Sequence, residues 1–435
     1  MKKVPVCTLA LLVSFVLGVA MARYRIFPYG AIEGWLRGGS GTIAEIERPP
    51  GLWIPMPENG NGENGPSKIG ATGYASGYEQ ASDAGGVIAN GPGAYPGVNL
   101  VVSGHAPEAF LLDMDGERLH SWKCEMKQVW PGFTDFKPGY DTFWRRAHVY
   151  PNGDLLAIFD GIGLFRLSRD SKDVLWEHRD GEHHDIFVDT DGTIYTLSRR
   201  ETTELEGFEL EGPILEDFIS ILTPQGELLR RISVLSSLLD SDYAPALAHA
   251  RRQGDLLHTN SIELMDGRFA DRHPMFAKGN ILISVRNVDT VCVVNPESER
   301  VVWALSGMWR MQHQPTVLDN GNLLVFDNLG YKGKSRVIEI DPVTQEIVWS
   351  YAGGPERPLF SNFLGSCQRL ENGNTLITES TRGRALEVTS SGGIVWEYLN
   401  PMRSGEKDEL IASLFELVRI EGGYFSENFK KVWRP

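Results

Sequence analysis

The sequence predicts an all-β fold: a six-bladed β-propeller preceded by an N-terminal apolar helix and a Gly-rich connector. Three observations predict it. Hairpin turns of one kind recur along the chain, a strand that ends in tryptophan follows most of them, and the unit repeats at the length of a propeller blade. A β-sandwich with similar hairpins is the alternative fold that these observations leave open.

The recurring turns are Asn-Gly or Asp-Gly pairs, each followed by an apolar strand. Both pairs accept the positive φ that a two-residue hairpin loop requires. They occur at 152–153, 191–192, 320–321 and 372–373, and Gly279-Asn280 is a variant of them. Short strands separated by such turns indicate an antiparallel β architecture.

A tryptophan closes the strand that follows each polar turn. The members of this set are Trp122, Trp176, Trp303, Trp349 and Trp396. The last three are 46 and 47 residues apart, which is about the length of a four-stranded blade.

These repeats define six blades, with one strand missing from the first. The blades begin near Asn99, Ala147, His184, His258, His313 and Ser366. Residues 202–216 form an insertion in blade three, and residues 235–253 have a helical pattern. The tail at 412–420 is β-like, and we expect it to complete blade one, because closing the ring removes exposed strand edges.

The N-terminal region divides into a leader and a connector. Lys2 and Lys3 precede an apolar run at 4–22, which is about long enough to span a bilayer. Residues 1–22 are therefore predicted to be a signal peptide or a membrane anchor, with length favouring the anchor. Residues 23–97, rich in Gly, Asn and Pro, form an extended connector that either reaches from the membrane or packs on the body as an irregular strap, and 98–435 form the propeller. The body of the protein is predicted to be periplasmic or otherwise extracytoplasmic.

The net charge narrows the classes of partner, whereas the cysteines say little about the compartment. The 435-residue chain has a net charge of −15, which disfavours nucleic acid and anionic membrane surfaces as broad partners. A small anion held by a local Arg and His cluster is still compatible with it. Of the four cysteines, Cys7 lies in the leader, and Cys124, Cys292 and Cys367 are predicted to be buried free thiols.

Three histidines share one position in successive blades. His184 and His313 lie seven residues before Asp191 and Asn320, and His258 lies eight before Asp266. Since the first strand of each blade lines the channel, equal offsets predict that the three imidazoles lie on one ring at one mouth. His148 and His183 lie near this ring but out of register.

A ring of histidines supports several chemistries. With Arg286, at the end of Ile283-Ser-Val-Arg286, it suits an oxyanion such as sulfate or phosphate. A neutral imidazole is also a nucleophile and a proton carrier near neutral pH. Three imidazoles can also bind a metal, although no carboxylate or cysteine shares the ring position. A single such histidine is most often a structural hydrogen-bonding group.

The motifs around these residues resemble the arylsulfotransferase family, the exported aryl-sulfate sulfotransferases that do not use PAPS. The resemblance covers roughly residues 99–420. It rests on His183-His184-Asp185, His258-Thr-Asn260-Ser, Ser284-Val-Arg286 and Gln312-His313-Gln-Pro315.

The resemblance implies a role for each of these side chains. His313 would attack an aryl sulfate and become a sulfohistidine, while Arg286 and His184 hold the sulfuryl oxygens. His258 would serve as general acid and base, and Asn260 would orient bound groups. The sulfuryl group would then pass to a phenol, and the transfer would require neither a nucleotide nor a metal. Family members carry a cysteine pair before the nucleophile and a separate N-terminal β-domain, and this chain has neither.

Two other functions are compatible with the same sequence. A noncatalytic propeller of the cell envelope could bind a ligand or a protein partner through the same mouth. A metal- or quinone-dependent oxidoreductase is the third alternative, although six blades are few for the pyrroloquinoline enzymes. The sequence does not predict an oligomeric state.

Overall fold

The computed structural model describes residues 75, 77, 79–81, 84–136, 139–248, 250–405 and 407–433. The leader and most of the connector lie outside these residues, so the predicted anchor and the extracytoplasmic location stay predictions. Within the described ranges, no helix has both the length and the apolar character needed to cross a bilayer.

The described chain is an all-β propeller of six blades, each built on four antiparallel strands, which confirms the propeller part of the predicted fold. An edge strand, β1 (Gly86–Asn90), comes first. Blade one then contains β2 (Val98–Ser103), β3 (Glu108–Leu112) and β4 (Arg118–Lys123). Blade two contains β5 (Arg146–Val149), β6 (Leu155–Phe159), β7 (Gly163–Leu167) and β8 (Val174–His178). Blade three contains β9 (Glu182–Val188), β10 (Ile194–Thr202), β11 (Ile214–Leu222) and β12 (Leu228–Ser233), with β13 (Gly254–Asp255) paired to β11.

The second half of the ring repeats this arrangement. Blade four contains β14 (Thr259–Leu264), β15 (Ile281–Val285), β16 (Thr290–Asn295) and β17 (Arg300–Ser306). Blade five contains β18 (His313–Val317), β19 (Leu323–Tyr331), β20 (Lys334–Ile340) and β21 (Ile347–Tyr351). Blade six contains β22 (Ser366–Arg369), β23 (Thr375–Glu379), β24 (Arg384–Val388) and β25 (Ile394–Leu399). A small hairpin, β26 (Arg403–Ser404) and β27 (Leu410–Ile411), precedes β28 (Leu414–Ile420).

The ring closes through the C-terminal strand, as the sequence predicts. β28 pairs antiparallel with β2, from Val98 opposite Ile420 to Ser103 opposite Leu414. It thereby becomes the inner strand of blade one and also contacts β22 of blade six. The first strands of neighbouring blades contact one another and line the channel.

The end of the predicted connector is more regular than its composition suggests. β1 adds a fifth strand to the outer edge of blade six, with Asn90 opposite Trp396. Farther upstream, the Ser413 N–H donates to the Ala75 carbonyl at 2.9 Å. A Gly- and Asn-rich segment has too little apolar content to fold alone, but it gains a strand here because blade six offers an unpaired edge.

The α-helices that lie wholly within the described ranges are short. They are α1 (Met126–Val129), α2 (Val234–Leu239) and α3 (Glu427–Lys430). The helical prediction for 235–253 is therefore correct only in part, since α2 is followed by a 3-10 turn at Ala244–Leu247. The predicted insertion at 202–216 is a long hairpin loop whose strands meet where Thr202 pairs with Ile214.

Three of the repeated tryptophans link neighbouring blades. The indole N–H of Trp122 in blade one donates to the Gly153 carbonyl of blade two at 2.9 Å. Trp396 in blade six likewise donates to the Met114 carbonyl of blade one at 2.9 Å, and Trp349 in blade five donates to the Ser390 carbonyl of blade six at 2.8 Å. The Trp176 indole N–H, by contrast, has no partner among the described residues. Cys124, Cys292 and Cys367 are buried free thiols, as predicted.

Candidate active site

Four predicted side chains, His184, His258, Arg286 and His313, meet at one mouth of the channel, and we call this group the cup. The rings of His184 and His258 pack edge to face with centroids 4.8 Å apart. The Arg286 N–H donates to the His258 carbonyl at 3.3 Å. Both Arg286 and His313 contact Met311, Arg286 through Nη2 to the sulfur at 3.9 Å and His313 through Nδ1 to the carbonyl at 3.1 Å.

The inner strands that carry these histidines are distorted at the cup. His184 and His258 have φ values of 61° and 54°, and Gln314, next to His313, has 48°. Each of the three strands also has a register shift near its histidine. Left-handed backbone at residues other than glycine costs about 1–3 kcal/mol and clusters at functional sites. The distortions turn the imidazoles out of the regular alternation of the strand.

Arg286 lies in a turn beyond the end of a strand, and not on an inner strand. It follows β15, the second strand of blade four, and begins a 3-10 turn at Arg286–Val288. This turn brings it back to the start of the inner strand, where His258 lies. Its Nη1 donates to Asn287 Oδ1 at 2.9 Å.

The His313 ring is fixed by two acceptors on one nitrogen. Nδ1 lies 2.8 Å from Asn328 Oδ1 and 3.1 Å from the Met311 carbonyl. The Asn328 amide cannot be reversed, because its Nδ2 donates to the carbonyls of Ser361 and Leu364. Nδ1 therefore carries the proton, and the lone pair of the neutral ring is on Nε2. Both hydrogen bonds of the His313 ring to described residues are made by Nδ1 and neither by Nε2.

Gln312, the residue directly before His313, joins blade five to blade four through side-chain hydrogen bonds. Its Nε2 donates to Ser284 Oγ at 3.1 Å and to the Thr290 carbonyl at 2.9 Å. Asn260 Nδ2 donates to the Gln312 carbonyl at 2.9 Å. Asn260 thus has its donor engaged in holding the His313 segment, whereas the sequence predicts that it orients bound groups. Its buried Oδ1 has no hydrogen-bond partner in the part of the chain that the structure describes.

Two aspartates fix the loop that precedes His313, where the chain has no cysteine pair. Asp289 Oδ1 accepts the Met311 N–H at 2.6 Å, and Asp327 Oδ1 accepts the Arg310 N–H at 2.9 Å. Asp327 is also paired with Arg336 at 2.9 Å. Charge-assisted hydrogen bonds therefore hold this loop.

His184 shares a proton with a histidine that the sequence places out of register. Its Nδ1 lies 2.7 Å from Nδ1 of His183, and both rings are buried. Nε2 of His184 is buried with no hydrogen-bond partner in the described structure. Burial, followed by the positive charge of Arg145, holds the pKa of His184 well below its ordinary value.

His313 is likewise kept neutral. Burial, followed by the charge of Arg286, holds the pKa of its imidazole well below the ordinary value, and Arg145 adds to this effect. His258 differs from both in being a fifth exposed, and its Nδ1 lies 2.5 Å from Asp255 Oδ2. The three imidazoles therefore occupy distinct environments.

Sequence analysis missed the residues that support the cup. Arg145, Asp255 and Asn328 lie outside the repeated offset that reveals the three histidines. Only Asp255 carries a local signal, because it is three residues before His258. Arg145 and Asn328 reach the cup through blade geometry that spacing along the chain does not encode.

A buried charged cluster joins the inner strands of blades one, two and three. Arg146 Nε pairs with Asp185 at 2.7 Å, and Arg146 also pairs with Glu416. Burial raises the pKa of Glu416 to about 7, although Arg146 opposes this effect. Two cavities of about 590 and 640 Å³ are lined by Arg146 and Glu416, and neither is lined by a cup histidine.

Asp217 predicts a pH dependence of stability. Burial, together with the charge of Asp255, raises its pKa from 3.8 to about 7, and its Oδ2 accepts the Thr259 N–H at 2.6 Å. Between these two pH values the folded protein keeps a proton that the unfolded chain releases, so stability falls as the pH rises through this window. Asp217→Asn keeps the acceptor and removes the titration. Its melting temperature is expected to fall less than that of the wild type between about pH 4 and 7, and parallel curves would contradict the assignment.

A group of possible metal ligands lies outside the cup. His178, Asp180 and Glu182 offer ligand atoms within 4.8 Å of one another, and no such group in the described structure includes a cup histidine. Asp180 is already paired with Arg200 and with Arg231. These two cations neutralise Asp180, one of the two carboxylates in this group.

Comparison with known proteins gives a family and some distant structural likenesses. No curated protein matches the chain. A protein of unknown function from Bacteroides caccae is 15% identical, covering 73% of this chain and 97% of that one, with a TM-score of 0.47. A streptogramin B lyase is 13% identical, covering 77% and 97%, with a TM-score of 0.43. Likenesses this weak say nothing about function.

The match to a protein-family model is stronger than these structural likenesses. The model of the family described as arylsulfotransferase (ASST) matches residues 152–401. This range is more than half of the chain, and it includes His184, His258, Arg286 and His313. The match agrees with the motifs in the sequence, and the chain belongs to the arylsulfotransferase family.

Proposed function

We propose that this protein moves a sulfuryl group from an aryl sulfate to a phenolic acceptor, with His313 carrying the group between them as a sulfohistidine. The observation that carries the proposal is the fixed tautomer of His313. Its Nδ1 proton is committed to Asn328 and to the Met311 carbonyl, which leaves the Nε2 lone pair for attack.

The electrostatics of the cup favour the same step. A neutral imidazole is the reactive form of the nucleophile, and burial with Arg286 and Arg145 keeps His313 in that form. The same two cations attract an anionic sulfate ester and stabilise the charge on its equatorial oxygens as the sulfur changes partner. Guanidinium groups match a tetrahedral oxyanion particularly well.

The reaction balances in two half-steps. In the first, Nε2 of His313 bonds to sulfur, the S–O bond to the aryl group breaks, and His258 donates a proton to the leaving phenolic oxygen. In the second, His258 takes the proton of the acceptor phenol, its oxygen bonds to sulfur, and the N–S bond breaks. His313 returns to its neutral form, and no nucleotide takes part. We propose that His184 holds a sulfuryl oxygen through its buried Nε2, when that atom carries the ring proton.

We also propose that the reaction takes place outside the cytoplasm. The support is the sequence at 2–22, where two lysines precede an apolar run. The propeller would then act on small phenols and sulfate esters of the cell envelope.

A two-substrate kinetic assay tests the proposal. The purified protein is given p-nitrophenyl sulfate and a series of phenol concentrations, and p-nitrophenol release is followed. We expect release that depends on the acceptor, with the parallel double-reciprocal lines of a ping-pong reaction. Binding of either compound without turnover would favour the noncatalytic propeller. Turnover that requires an added metal would contradict the direct attack by histidine.

Replacing Asn328 tests the tautomer. In Asn328→Leu the His313 ring loses the acceptor that fixes its proton on Nδ1, and the Met311 carbonyl alone holds it less firmly. We expect kcat to fall about 10- to 100-fold, since a hydrogen bond that orients a reacting group contributes roughly 1.5–3 kcal/mol. Asn320→Leu, at the opposite end of the β18–β19 hairpin, serves as the control. Equal activities of the two variants would contradict the role of Asn328.

A further inference from the structure

Asp255 forms a hydrogen-bonded pair with His258, whereas the Asp160 carboxylate beside His184 lies farther from the ring, with its Oδ1 3.9 Å from Nδ1. Asp255 Oδ2 lies 2.5 Å from Nδ1 of His258. His184 has another imidazole at the equivalent position, and His313 has an amide oxygen and a carbonyl. Only a carboxylate compensates the full charge of an imidazolium.

The backbone holds Asp255 firmly against the cup. β13 pairs in parallel with β11, so that Leu215 lies opposite Asp255. Asn287 Nδ2 donates to the Asp255 carbonyl at 2.7 Å, and the neighbouring Arg286 accompanies it in the same turn. The carboxylate therefore lies in a fixed relation to His258 and to the arginine of the cup.

Exposure separates His258 from the other two imidazoles. Its side chain is 20% exposed, whereas His313 and His184 are 4% and 3% exposed. A group that exchanges protons with incoming and leaving phenols must face the open side of the cup. Asp255 binds Nδ1–H, and this orientation directs Nε2 of the ring toward the substrate.

We propose that Asp255 is a positioning residue for sulfuryl transfer, which orients His258 and stabilises its protonated form so that it is the cup histidine that exchanges a proton with the phenolic oxygen. This inference rests on the proposed function. When the S–O bond breaks, the proton moves from His258 Nε2 to the leaving oxygen. The positive charge on His258 is lost as the sulfohistidine forms. The second half-step reverses this transfer, so that no external acid or base is consumed.

The test uses leaving groups of different basicity. A good leaving group such as p-nitrophenolate departs with little help, whereas an unsubstituted phenolate needs a proton. Asp255→Asn retains the size of the side chain and removes its charge. We expect kcat/KM for phenyl sulfate to fall by about 10²-fold or more, and that for p-nitrophenyl sulfate by less than about 10-fold.

Controls separate positioning from a merely structural effect. His258→Gln is expected to show the same selective loss, and the double variant is expected to lose little more than either single one. Asp266→Asn, at the far end of β14, should leave both rates near the wild-type values. An equal loss for both esters in Asp255→Asn would overturn the inference while leaving the proposed function intact. Absence of turnover with either ester in the wild type would overturn the proposed function itself.

Discussion

His313→Ala is expected to lower kcat for transfer from p-nitrophenyl sulfate by at least about 10³-fold, because it removes the atom that forms the bond to sulfur. The variant should also lose the initial burst of p-nitrophenol that the first half-step produces. The cavity left by the imidazole affects packing only locally, since His313 is the first residue of β18. The measurement is the amplitude of the burst together with the steady-state rate, at matched protein concentrations.

The matched control is His120→Gln, on the outer strand of blade one. His120 contacts Trp122 and the Arg169 carbonyl, in a strand that does not line the channel. Its activity should be near that of the wild type. If His313→Ala kept more than about a tenth of the wild-type rate while remaining folded, another group would have to carry the sulfuryl group.

Arg286→Met is expected to lower kcat/KM for the aryl sulfate by about 10²–10³-fold, the usual cost of removing a donor that stabilises a developing oxyanion. Arg286→Lys should recover only part of this loss, since an ammonium group cannot present two parallel donors. Because the Arg286 charge lowers the pKa of His313, its removal lets that pKa rise toward the ordinary value. The Met variant should therefore lose more activity at acidic than at neutral pH.

Arg268→Met controls for the loss of a positive charge. Arg268 is half-exposed, and it pairs with Asp266 and Asp319 at the opposite end of β14 from the cup. We expect its kcat/KM and its pH profile to be unchanged. A loss of less than about threefold in Arg286→Met would contradict a direct role of Arg286 on the sulfate.

Much of the fold follows from periodic features of the sequence. Asn-Gly turns and strand-ending tryptophans predict the blades, and the strand at the C-terminus closes blade one as expected. The sequence predicts strands less well where a segment becomes a strand only by pairing with the open edge of a sheet. β1 forms only because blade six has an open side, and the Gly-rich sequence around it gives no strand signal of its own.

Within the cup, the sequence predicts only those residues that occupy a repeated position in successive blades. His184, His258 and His313 share an offset from their hairpin turns, so the sequence reveals them together. The residues that support these histidines share no such offset. Asn328 belongs to the second strand of its blade, and Arg145 precedes an inner strand whose histidine, His148, is out of register with the other three.

His183 illustrates a second limit. Strict alternation would direct His183 and His184 to opposite faces of the strand. The positive φ of His184 breaks that alternation and brings both rings together, with their centroids 4.9 Å apart. Backbone distortion of this kind is a tertiary effect, and a periodic pattern cannot reveal it.

The most direct test is to trap the covalent intermediate. The protein is mixed with an aryl sulfate carrying a radiolabelled sulfuryl group, without acceptor, and quenched in alkali, where N–sulfuryl bonds survive. The account predicts about one label per chain on the peptide that contains His313, and its discharge by added phenol at the rate of turnover. Turnover without any labelled protein, or a label on another residue, would contradict it.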